Sequence, residues 1–223
     1  MRHVLSIIAL LVLIAGCGAE TETPAAVTPE PAELAAVPAT GDEQPAPGGA
    51  LSDTLTAENL PEALFLTIEV AEFGAIKVKF HAQDAPRNVT NVANLAIKGF
   101  YDGLAFHRII PSFVVQGGDP KGDGTGGPGY TVEAEMKRKH LKGSLAMART
   151  GDQVNPERRS SGSQFYLCLE ALPQLDAGGY TVIGDLVEGM DVLERIGAVQ
   201  TSGPPLDRPV EPVVMTRVYV TTD

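Results

Sequence analysis

Cysteine, tryptophan and histidine are scarce in this sequence, and each shortage removes a class of structure or chemistry. The 223 residues include no Trp, two Cys and four His. The histidines show no H-x-x-x-H spacing and have no Cys pair beside them, so the sequence predicts no metal site and no cofactor. A G-x-S-x-G nucleophile elbow is also absent, which removes the usual signal of a serine hydrolase.

Basic residues are also few, and the acidic excess lies in one segment. Lys and Arg total 17 against 28 Asp and Glu, for a formal net charge of -11. Residues 17–58 hold eight acids and no Lys or Arg, whereas residues 59–223 hold 16 basic and 20 acidic side chains. A nucleic-acid partner is therefore not expected, because the neutralisation of phosphates requires a basic face.

The sequence has no apolar run long enough to span a bilayer as a helix, which needs about 20 residues. The run Val4–Ile14 has eleven residues and follows a short positive segment, as in the apolar region of a signal peptide. The string LIAGC that ends at Cys17 resembles a bacterial lipobox, so we expect residues 1–16 to be a lipoprotein signal peptide. The alternative is a plain secretory peptide with an incidental Cys.

A lipidated Cys17 would place the protein in the bacterial cell envelope, exported and anchored to a membrane on its periplasmic side or at the outer surface. Several acyl chains give stable anchoring, whereas one chain alone is marginal. Gly18 follows Cys17, where inner-membrane lipoproteins of enteric-type cells carry Asp, and this favours an outer membrane. Only Cys168 would remain free, so an intramolecular disulfide is excluded and the domain depends on its core.

The chain divides into a linker and one folded domain. Residues 17–58 are rich in Ala, Pro, Glu and Thr without a hydrophobic period, which predicts a disordered linker behind the lipidated Cys. Short apolar runs of alternating polarity begin at about Leu60, and we expect a single monomeric domain over residues 59–223.

The domain is predicted to be mainly β. The expected strands are Leu64–Glu72, Ala75–Phe80, Phe106–Ile110, Ser112–Gln116, Gly143–Arg149, Gln164–Leu169, Tyr180–Gly184 and Val213–Thr222. Helices are predicted over Ala85–Gly99 and around Met190–Gly197, each ending at a glycine. Many short strands with frequent turns favour a closed antiparallel barrel over an α/β sheet.

Three further motifs have simple structural interpretations. GDGTGG (Gly122–Gly127) matches a dinucleotide-binding pattern, but Pro128 follows where a helix is required, so we expect a turn-rich loop. The basic run Lys137–Lys142 is interpreted as a solvated turn, with contact to anionic lipid or an acidic partner as the alternative. Cys168 has no His beside it and is interpreted as a buried structural residue.

Polar side chains interrupt two apolar runs in FHRIIPSFVVQGGD (Phe106–Asp119). Arg108 lies within the first run and Gln116 at the end of the second, and Gln164 lies next to aromatic residues in GSQFY. An apolar surface with a few hydrogen-bonding groups is typical of a pocket for an apolar ligand that carries amides. The alternative is a strand with its polar face in solvent, where Arg108 is a surface charge.

The strings FHRIIPSFVVQGGDPKGDGTGGPGY and SGSQFYLCL resemble the cyclophilin family of peptidyl-prolyl isomerases, and the resemblance covers about Leu64–Asp223. It implies an eight-stranded antiparallel barrel capped by two helices, and an enzyme that acts on Pro-containing polypeptides. By this resemblance the catalytic residues are Arg108, Gln116 and Phe113. The implied substrate-binding residues are Val114, Ala148, Arg149, Gln164, Tyr166, Leu175 and Tyr180.

Several positions depart from the family pattern. Val114 replaces a usual Met, Tyr166 a Phe, and Arg149 an Asn. Gln174 stands where eukaryotic forms have a Trp that helps to bind cyclosporin, so we expect weak inhibition by that drug. The loop at residues 150–161 is longer than in short family members and is a candidate for narrowing the groove.

The chemistry of the reaction explains the implied role of Arg108. Rotation about an X-Pro bond has a barrier of about 20 kcal/mol, because the amide nitrogen shares its lone pair with the carbonyl. The nitrogen becomes basic in the twisted state, so a fixed cationic donor stabilises that state above either planar one. Two alternatives stay open: a non-catalytic chaperone or scaffold module that binds proline peptides, and an inert structural barrel of the envelope.

Overall fold

The structure is a computed structural model that describes Leu51 and residues 54–222. The expected signal peptide, Cys17 and most of the expected linker lie outside the described residues. In the described part of the chain, no helix combines the length and the apolar character needed to cross a membrane.

Antiparallel strands dominate the described residues. They are β1 (Phe65–Val70), β2 (Gly74–Phe80), β3 (Arg108–Ile110), β4 (Val114–Gly117), β5 (Thr131–Val132), β6 (Ser144–Met147), β7 (Ser160–Ser161), β8 (Phe165–Cys168), β9 (Val182–Glu188) and β10 (Met215–Thr221). Eight of them form one sheet in the order β10-β1-β2-β9-β6-β8-β4-β3, and β5 pairs with β7. The helices are α1 (Pro86–Ile97), α2 (Pro173–Gly178) and α3 (Met190–Gly197).

The mainly β prediction is confirmed, but the prediction of a closed barrel is wrong. Strands β3 and β10 are the two edges of the large sheet, which is therefore a curled, open half-barrel. The outer edge of β3 is covered by the loop before β10, since the Ile109 N–H donates to the Asp207 carbonyl at 2.8 Å. Across the gap, the segment before β3 meets the start of β10 through an isolated bridge between Ala105 and Val214 and a few backbone hydrogen bonds, such as the Phe106 N–H to the Val213 carbonyl at 2.9 Å. The outer edge of β3 therefore contacts a loop, whereas a closed barrel would need β3 to pair there with a strand.

Three helices accompany the sheet in the described residues, where two were predicted. Helix α1 begins at Pro86, which suits a first turn, and Gly99 follows it in the left-handed conformation. The unpredicted α2 has six residues, begins at Pro173 and is ended by Gly179 at φ 70°. A helix of this length is too short to show hydrophobic periodicity in sequence.

The buried side chains form two clusters. The larger one packs the sheet against α1 and α3, and its fully buried members include Leu66, Ile68, Val78, Val89, Val92, Leu145, Leu167 and Leu193. The smaller one comprises Val114, Ala146, Tyr166, Cys168, Leu172 and Val182, with Phe113, Ala148, Leu175 and Tyr180 packed against it. The smaller cluster contains many of the expected site residues, so a second small core supports the site.

The folded part begins before residue 59. Leu55 is 8% exposed, and the side chain of Asn94 holds its backbone on both sides, with both N···O distances at 2.8 Å. The Leu51 N–H donates to the Val220 carbonyl at 2.8 Å. Leu51 and Leu55 therefore pack on the domain, although the composition of residues 17–58 assigned them to the linker.

Candidate active site

The β3–β4 hairpin determines the direction of the two polar side chains. In its register Arg108 lies opposite Gln116, and Ile110 opposite Val114. Residues directly opposite on antiparallel strands share a face. The hairpin therefore places the guanidinium and the amide together on one face, while Ile109 between them is fully buried on the other.

Nine of the ten expected groove residues line one cavity of about 300 Å³. They are Arg108, Phe113, Val114, Gln116, Ala148, Arg149, Tyr166, Leu175 and Tyr180. The tenth, Gln164, lines an adjoining cavity of about 660 Å³, which shares Gln116, Ala148 and Arg149 with the first. Residues from β3, β4, β8, α2 and three loops thus meet at one groove.

A chain of amides connects Arg108 to the glycine-rich loop. The Arg108 Nη1 lies 3.4 Å from Gln116 Oε1, and the Gln116 Nε2 donates to Gln164 Oε1 at 3.1 Å. The Gln164 Nε2 donates in turn to the carbonyls of Gly124 and Gly126, at 3.0 and 2.8 Å. Fixed backbone carbonyls thereby orient both amides, and Gln116 presents its oxygen to the guanidinium.

The glycine-rich loop is a series of turns, as expected, and not a dinucleotide site. Its centre is the buried Asp119 carboxylate, which accepts from the N–H groups of Lys121, Asp123 and Gly124. Gly126 is required here, because a Cβ at that position would overlap the Asp119 carboxylate. The close fold of the loop brings its carbonyls within reach of Gln164.

Tyr166 forms part of the apolar floor, and its hydroxyl is bound behind the pocket. The hydroxyl oxygen lies 2.9 Å from Nε2 of the buried His140, whose Nδ1 lies 2.7 Å from Asp176 Oδ1. Burial raises the pKa of Tyr166, so the phenol keeps its proton. With the Nδ1–H directed at the Asp176 carboxylate, Nε2 is free to accept that proton in a hydrogen bond. Burial would raise the pKa of Asp176 as well, but the hydrogen bonds with His140 outweigh it and lower that pKa.

Arg149 lines the groove, and its guanidinium is buried and bound to neighbouring residues. Its side chain is 5% exposed, its guanidinium lies over the Tyr180 ring at 4.6 Å, and it pairs with Asp152 at 2.6 Å. It also donates to the carbonyls of Gly178 and Thr150, at 2.5 and 2.9 Å. Arg149 therefore joins the loop at residues 150–161 to the end of α2.

Sequence reasoning missed three residues near the site. His140 binds the Tyr166 hydroxyl, and the only available signal was that a buried Tyr needs a hydrogen-bond partner. Asp207 lies 3.7 Å from the Arg108 Nε. His107 is buried with neither ring nitrogen hydrogen-bonded, and burial lowers its pKa, so it is neutral at pH 7. No sequence motif connects the latter two to the groove.

Cys168 belongs to the smaller cluster of buried side chains. Cys168 is fully buried, and burial raises the pKa of its thiol to about 12, which confirms the structural interpretation. No group of three or more His, Cys, Asp or Glu side chains in residues 54–222 is arranged to hold a metal ion.

Comparison with known proteins gives a consistent family. The model of the family "Cyclophilin type peptidyl-prolyl cis-trans isomerase/CLD" matches residues 65–220. A Helicobacter pylori peptidyl-prolyl cis-trans isomerase is 44% identical over 144 residues, which cover 62% of this chain and 83% of the relative. One from Synechococcus elongatus is 48% identical over 114 residues, or 51% and 74% of the two chains.

Solved structures agree with these sequence matches. A crystal structure of a cyclophilin-type peptidyl-prolyl cis-trans isomerase from Cryptosporidium parvum has a TM-score of 0.65 and 27% identity, and covers 71% of this chain and 98% of its own. The same protein solved in the presence of the dipeptide Ala-Pro has a TM-score of 0.64. This chain therefore belongs to the cyclophilin-type peptidyl-prolyl cis-trans isomerase family and is an enzyme of that class.

Proposed function

We propose that the groove around Arg108 catalyses the rotation of X-Pro peptide bonds in exported polypeptides. The observation that carries this proposal is the position of Arg108, which lines a cavity of about 300 Å³ together with apolar side chains such as Phe113 and lies against Gln116. An Arg with a surface role only would need no such cavity. The Ala-Pro dipeptide used with the Cryptosporidium relative supports a proline ligand at this groove.

In the proposed mechanism the apolar residues bind the proline ring and exclude water. Phe113, Val114, Tyr166 and Leu175 surround the space that the ring would fill. The Arg108 side chain is 37% exposed, so its fork remains open to a substrate. A permanent charge directed at the amide nitrogen stabilises the twisted state, in which that nitrogen has regained its lone pair. Gln116 holds the fork in place.

Replacing Arg108 by Ala tests the mechanism. We expect kcat/KM to fall by about 10²–10³-fold, as when one fixed donor is lost at other electrostatically driven sites, with the fold intact by circular dichroism. The assay is protease-coupled isomerisation of a short X-Pro peptide by the full chain. The control is Arg195→Ala, which removes an exposed α3 guanidinium that pairs with Asp191 at 2.9 Å, and it should leave the rate unchanged.

The same assay separates the alternatives. A wild-type chain that leaves the peptide at its thermal rate but binds it, with NMR shifts around Arg108, is a binding module. A chain that neither accelerates nor binds is an inert spacer. If Arg108→Ala keeps the wild-type rate, the proposed role of Arg108 is wrong.

We also propose that Cys17 anchors the protein to a membrane of the cell envelope as a lipoprotein. The motif LIAGC, the preceding apolar run and the acidic, proline-rich residues 17–58 support this. Cys17→Ser should abolish incorporation of labelled palmitate and move the protein to the soluble fraction, with Cys168→Ser as the control. Labelling that survives in Cys17→Ser excludes this anchor.

We also propose that the protein acts as a monomer, because a single chain supplies all the residues that line the groove.

A further inference from the structure

The loop between α3 and β10, residues 198–214, reaches back to the catalytic strand. Two backbone contacts close its tip, with the Ser202 N–H donating to the Arg208 carbonyl at 2.8 Å and the Asp207 N–H to the Gly203 carbonyl at 2.9 Å. The tip then contacts both β3 and the glycine-rich loop. The Asp207 carbonyl accepts the Ile109 N–H of β3, and Arg208 Nη2 donates to the Gly122 carbonyl at 3.0 Å.

Asp207 is buried beside Arg108 and has an unusual backbone conformation. It is 8% exposed, and its φ of 50° lies in the left-handed region, which few residues other than Gly, Asn and Asp adopt easily. Buried carboxylates are rarely kept without a partner. Its Oδ2 is 3.7 Å from the Arg108 Nε. This distance is within the range of an ion pair but is longer than that of a hydrogen bond.

We propose that Asp207 is a positioning residue that orients the Arg108 guanidinium in the groove. The guanidinium is planar, so partners on two of its nitrogens determine where the third points. Asp207 lies by Nε, and Gln116 lies 3.4 Å from Nη1. Together they leave the rest of the fork to the substrate. This inference rests on the proposed catalytic role of Arg108.

Besides orienting the guanidinium, the Asp207 carboxylate has a second effect that works against catalysis. The experiment must distinguish the two effects. A negative charge beside Arg108 offsets part of the positive charge that acts on the substrate nitrogen. If that offset were its main effect, removing the charge would speed the reaction. The geometry favours orientation, because Asp207 approaches the Nε side of the guanidinium while Gln116 lies at Nη1.

Two substitutions at residue 207 suit its backbone. Asp207→Asn keeps the shape and removes the charge, and Asp207→Gly removes the side chain, while both tolerate the φ of 50°. Neither change removes the backbone bond to Ile109. Lost outer partners at metal sites cost about 10–100-fold, and the 3.7 Å distance places our expectation at or just below that range, a fall of about 5–10-fold in kcat. KM should stay within about twofold, since the proline pocket is untouched.

The matched control is Glu211→Gln, which removes the same charge from an exposed position of the same loop and should leave kcat unchanged. The second readout is the ¹⁵N NMR signal of the Arg108 Nε–H, assigned by its absence in Arg108→Ala. In both Asp207 variants of the full chain this signal should move and exchange faster with water. A residue with only a structural role would change the melting temperature and leave this signal in place.

The outcomes are distinct. The inference is supported if both variants lose kcat and shift the Arg108 signal. It is overturned if kcat is unchanged or higher, or if kcat falls while the signal stays. If Asp207→Asn does not fold, Asp207→Gly decides. If Arg108→Ala retains the wild-type rate, the proposed function fails first, and that result is independent of the Asp207 variants.

Discussion

At the scale of single residues, Tyr166 brings a hydroxyl to an apolar floor and leaves that floor apolar. The hydroxyl lies 2.9 Å from Nε2 of His140, whose Nδ1 in turn lies 2.7 Å from Asp176 Oδ1. Because the hydroxyl is bound to His140, a substrate meets nearly the same aromatic surface that Phe would offer. The departure from the family pattern is therefore compensated within the second core.

Tyr166→Phe is expected to affect stability and spare catalysis. The substitution leaves Nε2 of buried His140 without its partner, which should lower the free energy of unfolding by about 1–2 kcal/mol. The catalytic rate should stay within about twofold, since the aromatic ring remains. Urea denaturation and the isomerisation assay measure the two effects. His140→Ala is the companion variant, and it should cost more because it also removes the imidazole contact of the Asp176 carboxylate and opens a cavity.

At the scale of secondary-structure elements, one carboxylate connects strands β9, β2 and β6. Asp185 on β9 lies 2.9 Å from Nε2 of His81, which follows β2, and accepts the Ser144 hydroxyl of β6 at 2.8 Å. The hydrogen bond with His81 is the main cause that lowers the pKa of Asp185 below its ordinary value of 3.8. The folded state thus favours the charged carboxylate more than the unfolded state does.

This gives a pH dependence of known sign. The contribution of Asp185 is fully present above pH 3.8 and is lost as the pH falls through its lower folded pKa. We expect the wild-type melting temperature to fall more steeply below pH 3.8 than that of Asp185→Asn, measured between pH 2 and 6. Glu188→Gln on the same strand, an exposed carboxylate 3.8 Å from Lys77, should follow the wild-type curve. Parallel curves for all three proteins would contradict the prediction.

Helix α2 carries the expectation about cyclosporin. Gln174 is exposed on this helix, next to Leu175 of the groove, and no Trp is available at that place or elsewhere in the chain. Interfaces often depend on one Trp, so Gln174→Trp should tighten inhibition by about tenfold. Inhibition of the isomerisation assay by the drug measures both proteins. Low-nanomolar inhibition of the wild type would show that the groove does not need the Trp.

At the scale of the whole molecule, the boundary of the folded domain affects every experiment on a shortened chain. Deletion of residues 1–58 removes buried Leu55 and its two bonds to Asn94, whereas deletion of residues 1–50 keeps them. Burial of a Leu contributes about 2 kcal/mol and each hydrogen bond about 1 kcal/mol. We expect the longer deletion to be less stable by about 2–4 kcal/mol in urea denaturation. Equal stability would mean that Leu55 contributes nothing.

Much of the architecture could be predicted because it depends on neighbours in sequence. The hairpin from Leu64 to Phe80, helix α1 with Pro86 in its first turn, and helix α3 follow from local alternation and from turn residues. Six of the ten expected groove residues lie in the two strings quoted above, so a family resemblance could name them together. Phe106 shows the limit of this reasoning, since strict alternation along Phe106–Ile110 would place it on the face of Arg108, whereas it packs in the larger cluster.

The sequence by itself determined the mainly β fold class and the family, because these follow from patterns that span a few adjacent positions, and the resemblance to the family supplied the expected groove residues. Only the tertiary structure decided that the sheet stays open, that His140 binds the Tyr166 hydroxyl and that Asp207 lies beside Arg108. These contacts join segments far apart in the chain, and no local propensity specifies which distant segment arrives. Packing of the two cores against the sheet brings them together, and that packing exists only in the folded chain.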